Sequence, residues 1–255
     1  MVVLVQPRKM NYVIKISSRF IHCTALVFSI CASLSFSSLY AQTKKVKVIE
    51  LRNYVLRPGQ RDHFIDSFDI KILDTLNRRG NYVVGQYTLK NFPDNFVWIR
   101  GFDDMTGRLK ALKGFYTSDY WKKLVSIPRR YVLNYTNVYL LKPLHISAKS
   151  MDSTSTFDSN WFGKQKGLAI VDFYVANQNR KQLLEFVAST YDSVLDVSGV
   201  KDVSYWISEM APNDYPLPAF QDKNLLVTIT FFRNESDYKA AVKRIESNMS
   251  EEQRF

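Results

Sequence analysis

Cysteine is nearly absent from this 255-residue chain: Cys23 and Cys31 are the only two, and both fall within the first 41 residues. From residue 42 onward a disulfide framework, a thiol nucleophile and a thiolate metal site are therefore excluded. Histidine is almost as scarce. Beyond residue 41 only His63 and His145 remain, so a zinc centre with two or three imidazoles is nearly ruled out, and a Ser-His-acid triad would have to use one of the two. Both read as surface or cap residues. There is no G-x-G-x-x-G, no phosphate-binding loop and no acidic EF-hand-like loop. With 9 Gly, 8 Pro and 46% hydrophobic residues, collagen-like and low-complexity readings also fall away.

Charge is present in excess, but part of it is local. The formal net charge is +11; residues 1–41 carry Arg8, Lys9, Lys15 and Arg19 without one acid, which leaves +7 for the rest. The remaining basic residues are scattered among acids, with no clustered basic helix, so nucleic acid is not an expected partner. The first 41 residues have the order of a secretory leader: a basic stretch, a mostly apolar run from Phe20 to Phe36, then small residues ending Ser38-Leu39-Tyr40-Ala41. The expectation is cleavage near Ala41 and export to the periplasm or beyond. Five serines, Thr24 and His22 between Phe20 and Tyr40 argue against a transmembrane anchor.

Beyond the leader, Val46 to Val55 alternates with period two and reads as a strand, stopped by Pro58-Gly59. Phe64, Phe68, Ile72 and Leu76 recur at helical spacing up to Gly80. Strands follow at Tyr82–Lys90 and Phe96–Phe102, then a helix capped by Asp103 or Asp104 and carrying Leu109 and Leu112, a broken helical stretch around Trp121, and a strand from Tyr131 to Leu141. The order β-α-β-β-α-β is that of a ferredoxin-like unit. Residues 143–166 are rich in Ser and Thr and read as a linker. The pattern then restarts: a strand Gly167–Val175, a helix capped by Asn177 or Asn179, strands Val200–Ser208 and Leu225–Phe232, and a helix opened by Asn234. Tyr54 answers Tyr174, and Phe96–Phe102 answers Leu225–Phe231, which suggests a tandem duplication. An eighth strand has no obvious place after the last helix. The fold class expected is α+β, with two ferredoxin-like halves (46–142 and 167–250) packed sheet to sheet as one intramolecular barrel.

The stretch Glu50-Leu51-Arg52-Asn53-Tyr54 through Pro58-Gly59, with Val84-Gly85-Gln86-Tyr87, Phe96-Val97-Trp98-Ile99-Arg100-Gly101-Phe102, Arg108 and Phe115-Tyr116…Trp121, resembles the NIPSNAP family over about residues 46–142. The resemblance implies the dimeric α+β barrel superfamily, which also holds small cofactor-independent monooxygenases and haem-degrading enzymes. It brings no catalytic residue set with it. Haem degraders in that superfamily ligate iron through a helix histidine, which would put His63 in that role here, but its first-turn position and isolation speak against it.

The residues themselves single out two strand faces. Glu50, Arg52 and Tyr54 share one, and Phe96, Trp98, Arg100 and Phe102 share the other, on strands that are central neighbours in a ferredoxin-like sheet. Charges among aromatics there are costly unless paired. One reading is an aromatic-walled cavity in which Arg52 or Arg100 meets an acidic or carbonyl group of a ligand, with Arg108 and Trp121 nearby. The other is that Glu50 pairs with Arg52, Arg100 or Arg108 to fix the barrel, the rings being core. No cofactor and no metal are expected. The partners expected are a small apolar or aromatic molecule, another protein or a second copy. A cofactor-independent monooxygenase acting on a quinol-like aromatic is the alternative. Finally, the proline-rich stretch Ala211 to Ala219 cannot be a strand, and Tyr215 or Leu217 is expected to bury itself against the barrel or a partner.

Overall fold

The computed structural model describes the backbone of Val2–Pro7 and residues 46–144, 167–176 and 180–249. The Ala41 cleavage site, most of the 143–166 linker, His145 and the Asn177/Asn179 cap lie outside these residues. Seven strands form one antiparallel sheet in the order β3-β4-β2-β5-β7-β8-β6. They are β2 (Val48–Leu56), β3 (Tyr82–Leu89), β4 (Phe92–Phe102), β5 (Val132–Pro143), β6 (Leu168–Val175), β7 (Val203–Ser208) and β8 (Leu225–Phe232). An eighth, β1 (Val2–Pro7), pairs antiparallel with both β3 and β6 and closes the ring. The position beside β6 corresponds to that of β5 beside β2 in the first half. A segment inside the stretch read as a leader therefore supplies the strand that had no obvious place after the last helix.

The two halves share the barrel interior. Period-two alternation sends Ile49, Leu51, Val97, Ile99, Ala169, Val171, Trp206, Val227 and Ile229 into the barrel, where they form a single apolar cluster. The halves meet edge to edge through β5 and β7 (Leu141↔Ser208, Lys142↔Ile207, Pro143↔Trp206). Trp206, fully buried, donates its indole N–H to Ser204 Oγ at 3.0 Å, so its one polar atom is satisfied inside the barrel.

Helices cover the outer face. In the first half these are α1 (Arg61–Lys71), α2 (Leu73–Arg78), α3 (Met105–Tyr116), α4 (Asp119–Leu124) and α5 (Ser126–Tyr131). The single helix expected from Phe64 to Leu76 is broken at Ile72, whose φ of −108° departs from helical values, yet both pieces keep their apolar stripe on the sheet. Gly80 ends α2 with φ +79°, a left-handed conformation that Cβ-bearing residues avoid. Asp104, not Asp103, caps α3, accepting from Gly107 N at 2.7 Å. β4 begins at Phe92 rather than Phe96, because the hairpin is tighter than expected and Leu89 pairs with Phe92. Pro93 is tolerated there on an exposed rim.

In the second half the buried face is carried by α6 (Arg180–Phe186), a π-helical turn (Val187–Tyr191) and α7 (Asp192–Val197), followed after β8 by α8 (Glu235–Asn248), which Asn234 caps. The registers show that Tyr54 faces Phe96 while Tyr174 faces Leu226. Phe96 thus corresponds to Leu226, one residue later than the sequence alignment had it.

Candidate functional site

β2 and β4 lie side by side as expected, in a register that sets Glu50 opposite Arg100, Arg52 opposite Trp98, Tyr54 opposite Phe96 and Val48 opposite Phe102. All eight side chains point away from the barrel interior, under the helices. From α3, Arg108 reaches down onto the same face. Glu50 becomes the hub. Its Oε2 accepts from Arg52 Nη1 at 2.5 Å and from Arg100 Nη2 at 2.5 Å and Nε at 3.0 Å; its Oε1 accepts from Arg108 Nε at 2.7 Å. The three arginines are each at most 1% exposed, and the carboxylate not at all. The sequence left open which arginine Glu50 would choose, and the structure gives it all three.

Aromatic rings complete the walls. The Arg52 guanidinium lies over the Tyr54 and Trp98 rings, each 5.5 Å from the centroid, and Arg100 over Trp98 at 5.3 Å and Phe102 at 5.5 Å. Arg52 Nε donates to Tyr54 Oη at 3.2 Å and Arg100 Nη1 to Tyr116 Oη at 3.3 Å. Trp121 is not in the cluster. It is half-buried on α4 and packs against Tyr116 and Phe115, with ring centroids 5.0 Å apart in each case.

Burial by itself would raise the Glu50 carboxyl. Arg100, Arg52 and Arg108 outweigh it and hold the group well below the usual carboxylate range. Burial pushes the Tyr54 phenol up, so it stays neutral. The formal balance is three guanidiniums against one carboxylate, an excess of two positive charges out of water. Charges so placed are expensive unless something compensates them. Three polar atoms on this face also lack a partner among the described residues: Arg108 Nη2, Trp98 Nε1 and Gln86 Oε1. Two of the three are donors. Gln86 sits beside Trp98 on β3.

The proline-rich loop is the roof. It is not a strand; a single bridge, Phe220 to Tyr139, ties its end to β5. Asn213 Oδ1 accepts from Arg108 Nη1 at 2.9 Å, and the Tyr215 ring stacks on Tyr116 at 5.8 Å and 25°. Tyr215, Leu217 and Ala219 are half-buried against the cluster of Val48, Phe102, Leu112 and Leu140, so the expectation for Tyr215 and Leu217 is met in direction, though neither is fully covered. Asn213 and Gln86 were missed in the sequence. Each lay in a stretch already singled out, Val84–Tyr87 and Ala211–Ala219, but acquires its role only through a neighbour distant in the chain.

The second half does not repeat the charges. The counterparts of Glu50, Arg52, Tyr54, Phe96, Trp98 and Arg100 are Ile170, Asp172, Tyr174, Leu226, Thr228 and Thr230. Here the polar contacts are made by phenols: Tyr174 Oη lies 3.4 Å from Tyr191 Oη at the end of the π-helical turn, and Tyr205 Oη donates to Asp192 Oδ1 at 2.8 Å. Burial pushes the Asp172 carboxyl up to about 6. An open groove of about 350 Å³ between β8 and α8 is lined by Arg233, Asp237 and Arg244 among others. Its charges are largely spoken for, Arg233 by Asp237 at 2.6 Å and Arg244 by the Ser198 carbonyl at 2.7 Å. His63 is exposed in the first turn of α1.

No family model matches the chain, and no curated protein does. Solved structures do. An uncharacterized NIPSNAP domain protein from Burkholderia xenovorans aligns at 16% identity with a TM-score of 0.37, over 39% of this chain and 97% of its own. A NIPSNAP family protein of unknown function from Agrobacterium tumefaciens, also at 16% identity and a TM-score of 0.37, covers 41% and 94%. Both likenesses are of fold and span about two fifths of this chain. A "putative monooxygenase" from Fusobacterium nucleatum covers 79% of this chain and 83% of its own at 10% identity and a TM-score of 0.49. At such identities the likeness concerns the fold and says nothing of chemistry.

Proposed function

We propose that this NIPSNAP-like barrel, exported after loss of its leader, binds a small aromatic or apolar molecule bearing an anionic group, between the first-half sheet and the 211–219 loop. The observation that carries the reading is the buried excess of positive charge on Arg52, Arg100 and Arg108, together with the partnerless donors Arg108 Nη2 and Trp98 Nε1. A carboxylate or phenolate supplies what those groups lack, and the rings of Tyr54, Trp98, Phe102 and Tyr116 suit an aromatic body. Entry requires the loop to lift, since Asn213 and Tyr215 lie across the way in.

The test is thermal denaturation with matched pairs of ligands: benzoate, 4-hydroxybenzoate and 2-naphthoate against their neutral amides. Anions at about 100 times their Kd raise stability by about 2.7 kcal/mol, and the amides do so far less. Arg108→Gln abolishes the difference. Equal responses to acid and amide, or none to either, overturn the reading.

One observation favours a second reading. Arg52 and Arg100 already donate to phenol oxygens, those of Tyr54 and Tyr116. The same donors would stabilise the phenolate of a bound quinol. O2 would place one oxygen atom on a ring carbon, and the quinol itself would give up the two hydrogens and two electrons that carry the other oxygen away as water, leaving a hydroxyquinone with no cofactor needed. Oxygen uptake with a panel of hydroquinones decides between binding and turnover.

A further inference from the structure

β1 is held by few rungs. Val5, Gln6 and Pro7 pair with Leu89, Thr88 and Tyr87 of β3, and Val2 to Val5 pair with Asp172, Val171, Ile170 and Ala169 of β6. Only Val5 is paired on both sides. By comparison, β2 and β4 share eight rungs and β6 and β8 another eight. Because β1 runs antiparallel to both neighbours, β3 and β6 run parallel to each other. With β1 gone they would stand two strand spacings apart, roughly 10 Å, too far to pair directly. Both edges would then show unpaired N–H and C=O groups, and the buried Tyr87, Leu89, Ala169 and Val171 would lie along the opening. Loss of residues 1–41, which the leader reading expects, would create that state.

We propose that the β3–β6 slot is a strand-acceptor site, filled in cis by Val2–Pro7 and, once vacated, by an extended apolar segment of a partner protein. The chemistry of the occupant is read from the one seated there: four consecutive apolar residues, Val2-Val3-Leu4-Val5, running antiparallel to both edges. A single inserted strand satisfies β3 and β6 together. A second copy pairing its β3 with this β3 would satisfy one edge of each barrel and leave both β6 edges open, so an inserted peptide is the better fit.

The full chain carrying Leu4→Pro, with Val3→Lys as a milder second variant, tests this with a fluorescein-labelled Val-Val-Leu-Val-Gln-Pro peptide bearing solubilising lysines. Hydrogen exchange in Tyr82–Leu89 and Leu168–Val175 is expected to accelerate in Leu4→Pro and to slow again on adding the peptide. Anisotropy should report affinity at least tenfold higher for the variant than for the unaltered chain, whose slot is full. A peptide with proline in place of leucine should not bind. Exchange identical with and without Leu4→Pro overturns the proposal, as does a variant that dimerises by sedimentation and ignores the peptide. If both variants unfold, the peptide must restore structure; failure to do so overturns the proposal as well.

Discussion

Glu50 balances three guanidiniums with two oxygens, and its removal should be felt at once. Glu50→Gln leaves Arg52, Arg100 and Arg108 facing one another out of water, and urea denaturation should show a loss of about 3–5 kcal/mol. The pH dependence has a definite sign. The folded carboxyl lies well below its ordinary value of 4.5, so its contribution is present above that pH and drains away as the pH falls below it. In Glu50→Gln this acid limb should flatten. Asp172 runs the other way. Its folded value of about 6 lies above the ordinary 3.8, so stability is lost as the pH rises from 3.8 through 6. Asp172→Asn should therefore raise the melting temperature at pH 7 and leave it unchanged at pH 3. Alternation alone placed Glu50, Arg52 and Tyr54 on one face, because a strand's period of two is written in every second residue. Arg108 was one of the candidate partners for Glu50, but that it would join Arg52 and Arg100 was not legible, since it comes from a helix whose height over the sheet depends on how Leu112 and Phe115 pack.

Helices and strands announced themselves where a local signal existed: Gly80 as a stop, and Asp104 and Asn234 as caps. Each cap can be checked, Asp104→Ala or Asn234→Ala costing about 1 kcal/mol in thermal unfolding. The break at Ile72 and the π-helical turn at Val187–Tyr191 carry no such signal, because their apolar stripes read the same whether the helix is continuous or not. The proline-rich loop lies between. Its prolines ruled out a strand, but its place over Arg108 depended on Asn213 and Tyr215 finding partners from the other half. Replacing residues 212–218 with Asn-Gly removes the Asn213–Arg108 bond and the Tyr215–Tyr116 stack. The expected loss is about 1–3 kcal/mol, read by denaturant titration, together with faster entry of any anionic ligand in stopped-flow mixing. An unchanged midpoint would mean that the loop holds nothing.

At the scale of the molecule, Ile49, Ile99, Val171 and Val227 belong to one cluster, so the barrel interior belongs to neither half alone, although each half also packs clusters of its own under its helices. Calorimetry should show a single transition with equal calorimetric and van't Hoff enthalpies. Residues 46–144 expressed alone should fold only as a dimer, checked by sedimentation, because Ile49, Leu51, Val97 and Ile99 otherwise face water. The two-half architecture was legible because strand order and helix spacing recur along the chain. The closing strand was not: Val2–Pro7 opens a stretch whose basic and apolar order reads first as a leader, and its partners are far away. That distance sets a clock. Val2 meets Asp172 and Val5 meets Leu89, so during synthesis at roughly 5–20 residues per second Val2–Pro7 wait on the order of ten seconds for the last edge they need. Whatever captures Val2–Pro7 within that interval decides whether the ring ever closes on its own strand.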